Sequence, residues 1–129
     1  MDGARSRTKI LVVDDDPQHR GFVRDILGDE SYEILEACDA GTGMESALEH
    51  VPQLIVVDMR MPRLSGLDFV KSARANPAIR HIPIVVSSAK LSSPEGFDCL
   101  KAGAAAYVQK PLDPAPFRLR VKQLLGHPH

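Results

Sequence analysis

The chain has 129 residues, 16 basic and 17 acidic, for a net charge of −1, and 43% of its residues are hydrophobic. That length suits one compact domain, burying roughly two-thirds of its unfolded surface without a disulfide or structural metal. A near-neutral chain without a basic run argues against direct nucleic-acid binding, no apolar stretch is long enough to span a bilayer, and MDGARSRT is too short and polar for a signal peptide.

Residues 1–8 read as a flexible tail, 9–126 as the folded domain and 127–129 as a C-terminal tail. KILVVD (9–14) is a continuous apolar run ending in acid, the pattern of a strand covered on both faces. Asp16-Pro17 then opens a helix as N-cap and first helical residue. Phe22, Val23, Ile26 and Leu27 form its apolar face, and Gly28 is expected to close it in a left-handed cap. YEILEAC (32–38) is a less uniformly apolar strand suited to an edge, followed by a helix capped by Asp39 and carrying Met44, Ala47 and Leu48.

LIVVDMRMPRLSG (54–66) is the stretch around which the chain is organised: four apolar residues run into Asp58 and then into a turn. A third helix carries Leu67, Val70 and Ala73 and stops at Asn76-Pro77. HIPIVVSSA (81–89) is a fourth strand, and Ser93-Pro94 opens a helix with Phe97 and Leu100 expected inward and Gly103 at its end. AAAYVQK is the fifth strand, and Asp113-Pro114 caps a last helix with Phe117, Val121 and Leu124 as its stripe and Gly126 beyond it. Cys38 and Cys99 lack metal-ligand spacing and read as free, buried thiols in a reducing cytoplasm.

Five βα units with short connections predict an α/β fold, a doubly wound, flavodoxin-like parallel sheet in the order 2-1-3-4-5 with helices on both faces. In that order the first and third strands are neighbours, so Asp14, Asp15 and Asp58 converge at the carboxyl end of the sheet, where ligands bind in such folds. Three carboxylates in one cleft repel; hard oxygen ligands with no His or Cys nearby favour Mg²⁺ over zinc. The fourth strand brings Ser87 and Ser88 to the same end and the fifth brings Lys110, whose ammonium suits a carboxylate or a phosphoryl oxygen. Any one of these side chains alone reads as a turn former, a cap or a solvated group. Together they are what phosphoryl transfer to an aspartate requires.

With these residues in view, the sequence resembles the response regulator receiver domain of two-component signalling over nearly its whole length. VVDDD resembles that family's acidic pair, which falls on Asp14 and Asp15, and VVDMRMP its phosphoacceptor loop, which falls on Asp58. SSA places the switch hydroxyl on Ser88, where the family more often has threonine, and AYVQKP places the switch aromatic on Tyr107 and the lysine on Lys110, with a Lys110-Pro111 bond expected cis.

The resemblance implies that Asp15, Asp58 and the backbone carbonyl of Arg60 bind Mg²⁺ directly and that Asp14 acts mainly through water. Asp58 would receive its phosphoryl group from a sensor histidine kinase, a histidine phosphotransfer protein or a small acyl phosphate. The chain would not be an enzyme in the usual sense, catalysing only its own phosphorylation and dephosphorylation, and would act in the cytoplasm. Its output would pass through the fourth helix, fifth strand and fifth helix to another protein or to a missing output domain, as a monomer or a weak phosphorylation-dependent dimer. Arg60 and Lys90 would flank the path of hydrolytic water. A pseudo-receiver that binds protein without phosphorylation is the alternative. A flavin-binding protein of the same fold is disfavoured because DDDPQH lacks a phosphate cradle.

Overall fold

In the first strand, β1 (Thr8–Val13), Ile10, Leu11, Val12 and Val13 are all buried. Successive strand residues face opposite ways, so four buried in a row require cover on both sides of the sheet. The computed structural model describes residues 7–28, 31–89 and 94–126. β1 therefore begins one residue inside the expected tail and ends before Asp14, which lies just past the strand. The other strands are β2 (Tyr32–Ala37), β3 (Leu54–Asp58), β4 (Ile84–Ser88) and β5 (Ala106–Gln109). They form one parallel sheet in the order β2-β1-β3-β4-β5, as expected, with β2 at an edge and β3 central and wholly buried. β4 is shorter than the expected 81–89 stretch. Pro83 cannot donate to a ladder, although its carbonyl accepts from the Ile55 amide at 3.0 Å.

The helices are α1 (Pro17–Ile26), α2 (Ala40–His50), α3 (Gly66–Arg74), α4 (Pro94–Ala102) and α5 (Pro114–Leu125). α1 and α5 cover one face, packing Val23, Ile26, Phe117 and Val121 against Ile10, Val12, Val56 and Val85. α2, α3 and α4 cover the other, packing Ala47, Phe69, Val70 and Cys99 against Leu11, Val13, Val57 and Val86. Each large apolar side chain so enclosed contributes about 1.5–3 kcal/mol, so these two layers hold the sheet, and its carboxyl end, in place.

Local chemistry sets the helix ends. Asp16 accepts from the Gln18 amide at 2.9 Å, Asp39 from the Thr42 amide at 2.8 Å, and Ser65 and Asp68 form a reciprocal capping box on α3. Gly103 and Gly126 take positive φ, 119° and 73°, past α4 and α5. Other expectations need correction. Gly28 is not in a left-handed cap; the α1 terminus closes through the Leu27 amide on the Val23 carbonyl at 3.0 Å, with Leu27 at φ −93°. Asp113 occupies the N-cap position of α5 without a side-chain cap hydrogen bond. Ser93 lies outside the described residues.

α4 differs most from expectation. Phe97 and Leu100 are 65% and 46% exposed, and α4 instead buries Gly96 and Cys99. Phe22 and Leu48, also assigned to apolar faces, are 36% and 41% exposed. α2 instead buries Ala40, Gly43 and Ala47, because it lies so close to β1 that a Cβ at Gly43 would come 2.8 Å from a Val13 methyl. Of the two free thiols only Cys99 is buried, which pushes its pKa up to about 11, whereas Cys38 is exposed. Among the described residues no helix is long and apolar enough to cross a membrane.

Candidate functional site

The carboxyl end of the sheet gathers the acids. The Asp14 amide extends the β1 pairing by donating to the Ala37 carbonyl at 3.0 Å, and Asp58 is the last residue of β3, in register with Ser87 of β4. Asp14 and Asp58 are buried while Asp15 is exposed, and one oxygen from each lies within 4.8 Å of the others. α3 begins close behind: the Gly66 amide donates to the Met59 carbonyl at 2.8 Å, and a Cβ at Gly66 would stand 2.8 Å from the Asp58 carbonyl oxygen. Only a residue without a side chain lets α3 start this near the loop.

Lys110 reaches the acids from β5. Its amide donates to the Ser88 carbonyl at 2.7 Å, and the Lys110-Pro111 bond is cis. Its ammonium lies 3.2 Å from Asp14 Oδ2 and 3.2 Å from Asp58 Oδ1, balancing two buried carboxylates with one cation. Burial alone would lower the Lys110 pKa, but the charges of Asp14 and Asp58 outweigh it and raise it.

The two buried acids are tuned in opposite directions. For Asp14 burial pushes upward, but the His19 hydrogen bond, the Asp16 amide and Lys110 together leave its pKa below the ordinary value. For Asp58 burial and the charge of Asp14 raise the pKa, and Lys110 and the Arg60 amide offset only part of that.

Ser88, the expected switch hydroxyl, ends β4 and is 1% exposed. Ser87 is equally buried, and among the described residues its Oγ has no hydrogen-bond partner. Tyr107 is half-buried with its ring against α4, where a Cβ on Gly96 would come within 2.2 Å of it. The Arg60 guanidinium pairs with Glu95 of α4 at 3.3 Å, both side chains being exposed. Lys90 lies outside the described residues.

Sequence reasoning missed α1's contribution. His19 Nδ1 is 2.6 Å from Asp14 Oδ2, which corrects the expectation that no histidine lies near the acids. Arg20 donates to the Asp14 carbonyl at 2.6 Å and to Glu36 at 2.9 Å, and Arg24 pairs with Glu36 as well. The signal was present in DDDPQHR. With Pro17 at the first helical position, His19 is the third, and helical side chains lean toward the N-terminus, here back over the end of β1. Among the described residues the group of side chains close enough to hold an ion consists of Asp14, Asp15 and Asp58, carboxylate oxygens that form a hard set suited to Mg²⁺.

A family model for the response regulator receiver domain matches residues 10–122. The chain belongs to the response regulator receiver family. It is 27% identical over 117 residues to the polar-differentiation response regulator DivK of Brucella anthropi, covering 91% of this chain and 95% of DivK. It is 31% identical over 121 residues to Histidine kinase P4 of Formosa agariphila, covering 94% of this chain but only 9% of that kinase. Among solved structures, chemotaxis protein CheY4 of Vibrio cholerae superposes with a TM-score of 0.85 at 26% identity, over 92% of this chain and 99% of CheY4. A response regulator from Chloroflexus aurantiacus gives 0.88 at 24% identity, over 95% of this chain and 100% of that one, a likeness of fold. The receiver fold and its acidic cleft thus coincide in one chain.

Proposed function

We propose that this receiver domain is a phosphorylatable switch in which Asp58 is the acceptor. An Asp58 carboxylate oxygen attacks phosphorus, the bond to the donor breaks, and the leaving group, an imidazole of a histidine kinase or phosphotransfer protein or a carboxylate of an acyl phosphate, departs. Hydrolysis reverses the state when water attacks the same phosphorus and releases orthophosphate. The observation that carries this reading is the Lys110 ammonium 3.2 Å from both Asp14 and Asp58, a cation held where phosphoryl charge would accumulate.

Asp15, Asp58 and the Arg60 carbonyl would hold Mg²⁺ with Asp14 behind them, and the ion would neutralise phosphoryl charge. Ser88 and Lys110 would attract the new phosphoryl oxygens, and Tyr107 would leave its place on α4 as the loop after β4 shifts. Output would pass through α4, β5 and α5, and the domain would act in the cytoplasm, catalysing no reaction beyond its own phosphorylation and dephosphorylation. Asp15 is the site acid whose removal disturbs least, because it is exposed. Asp15→Ala should retain the fold while losing most Mg²⁺-dependent labelling by acetyl phosphate. Labelling that persists at wild-type rate and Mg²⁺ dependence would exclude Asp15 from the site.

A further inference from the structure

His19 is the feature of the site that the receiver reading does not absorb. Asp14 is held by three donors. Its Oδ1 accepts from the Asp16 amide at 2.9 Å, and its Oδ2 accepts from His19 Nδ1 at 2.6 Å and from Lys110 Nζ at 3.2 Å. Lys110 is shared with Asp58 at the same 3.2 Å, so an incoming phosphoryl group would compete for it and an incoming cation would displace it from the carboxylates. The Asp16 amide is backbone and fixed by the α1 start. Among the described residues, His19 is thus the side chain bonded to the Asp14 carboxylate and to no other acid.

A carboxylate only accepts, so the proton on this bond sits on Nδ1. The imidazole is 10% exposed, and among the described residues its buried Nε2 has no partner. A buried nitrogen without a partner costs stability, so an apolar side chain of similar size would suit the α1 face better if packing were the only demand. Phe22, its neighbour ring at 6.4 Å and a 44° tilt, makes no hydrogen bond that could replace the one to Asp14.

We infer that His19 is a positioning residue for the cation site, its Nδ1–H fixing the orientation of the Asp14 carboxylate beside Asp15 and Asp58. This rests on the reading of the three acids as a Mg²⁺ site, and the test separates the two. Asparagine carries an amide nitrogen on Cγ where histidine carries Nδ1, so it reaches the same oxygen with a donor. Leucine fills the space without one. Removing a hydrogen bond that supports a metal site commonly lowers metal affinity about 10–100-fold, and because Asp14 would act on the ion through water the lower end applies to His19.

Calorimetric titration of the purified protein with MgCl₂ should therefore show His19→Leu binding about 10-fold more weakly than wild type, and His19→Asn close to wild type. Equal affinity in all three proteins, or an equal loss in both variants, would overturn the role of His19 while leaving the cation site intact. No binding by wild type would overturn the cation site and this inference with it. A second measurement needs neither metal nor a folded leucine variant: the imidazole ¹⁵N spectrum of wild type should show Nδ1 protonated, and an unprotonated Nδ1 would remove the bond to Asp14.

Discussion

At the scale of residues, the site places two buried carboxylates against one ammonium, and the charge does not balance. Asp14 is the settled partner, with its pKa lowered by its donors, and Asp58 bears the excess, with its pKa raised by burial and by the charge of Asp14. A raised folded-state value means that ionising Asp58 costs stability. The cost is absent below the unfolded carboxylate pKa of about 3.9, grows as pH rises through the folded value, and is complete above it. Asp14 has the opposite sign, stabilising the fold above its unfolded pKa and losing that contribution as pH falls through its lowered value. Asp58→Asn removes the cost and should melt a few degrees higher than wild type at neutral pH, about 1 kcal/mol corresponding to roughly 4 °C in a domain of this size. The gain should shrink as pH is lowered through the raised Asp58 pKa; an Asp58→Asn variant with the wild-type melting temperature at neutral pH would show that the acid is not strained.

Most of these site residues were readable because strands deliver them by position: an acid, hydroxyl or lysine at the carboxyl end of a buried run has one place to go. His19 was not, because its role depends on the direction a helical side chain leans rather than on a motif.

At the scale of elements, close approach decides the geometry. Gly66 lets α3 begin with its backbone against the β3 loop, where a Cβ would meet the Asp58 carbonyl oxygen at 2.8 Å and the Met59 Cα at 2.9 Å. Those neighbours are backbone and cannot turn aside. Gly66→Ala should destabilise the domain by about 1–3 kcal/mol through overpacking, despite alanine's better helix propensity, and should slow Asp58 labelling; denaturant unfolding and labelling rates measure both.

The same loop carries Arg60, whose exposed pair with Glu95 joins it to α4. Exposed pairs contribute about 0–1 kcal/mol, so the pair can exchange for a phosphoryl partner at little cost. On this reading Arg60→Asn leaves stability nearly unchanged and hastens loss of the phosphoryl group after the donor is removed; equal or slower decay would deny the side chain a shielding role.

Helix existence and order were legible from capping residues and apolar spacing, but the buried face of α4 was not. Phe97 and Leu100 are its largest apolar residues, yet Tyr107 lies over Gly96 and Met59 meets Cys99 at 3.6 Å. Small residues face inward because neighbouring elements already fill the space, a fact of tertiary packing invisible to local periodicity.

For the whole molecule, two apolar layers hold the sheet while its carboxyl end gathers the three acids and Lys110, and α4 and α5 carry exposed Phe97, Leu100 and Leu119. The fold and strand order follow from alternating βα units, and family membership from residues 10–122; the kinase and the receiver of the signal depend on surfaces of other proteins. The central claim is that the cleft accepts one phosphoryl group on Asp58, using Mg²⁺. Its most direct measurement is intact mass after incubation with acetyl phosphate, for wild type and Asp58→Asn, with and without Mg²⁺. Wild type should gain a single phosphoryl group only with the metal, and Asp58→Asn none; an unmodified wild type, or equal labelling of the variant, would contradict the account.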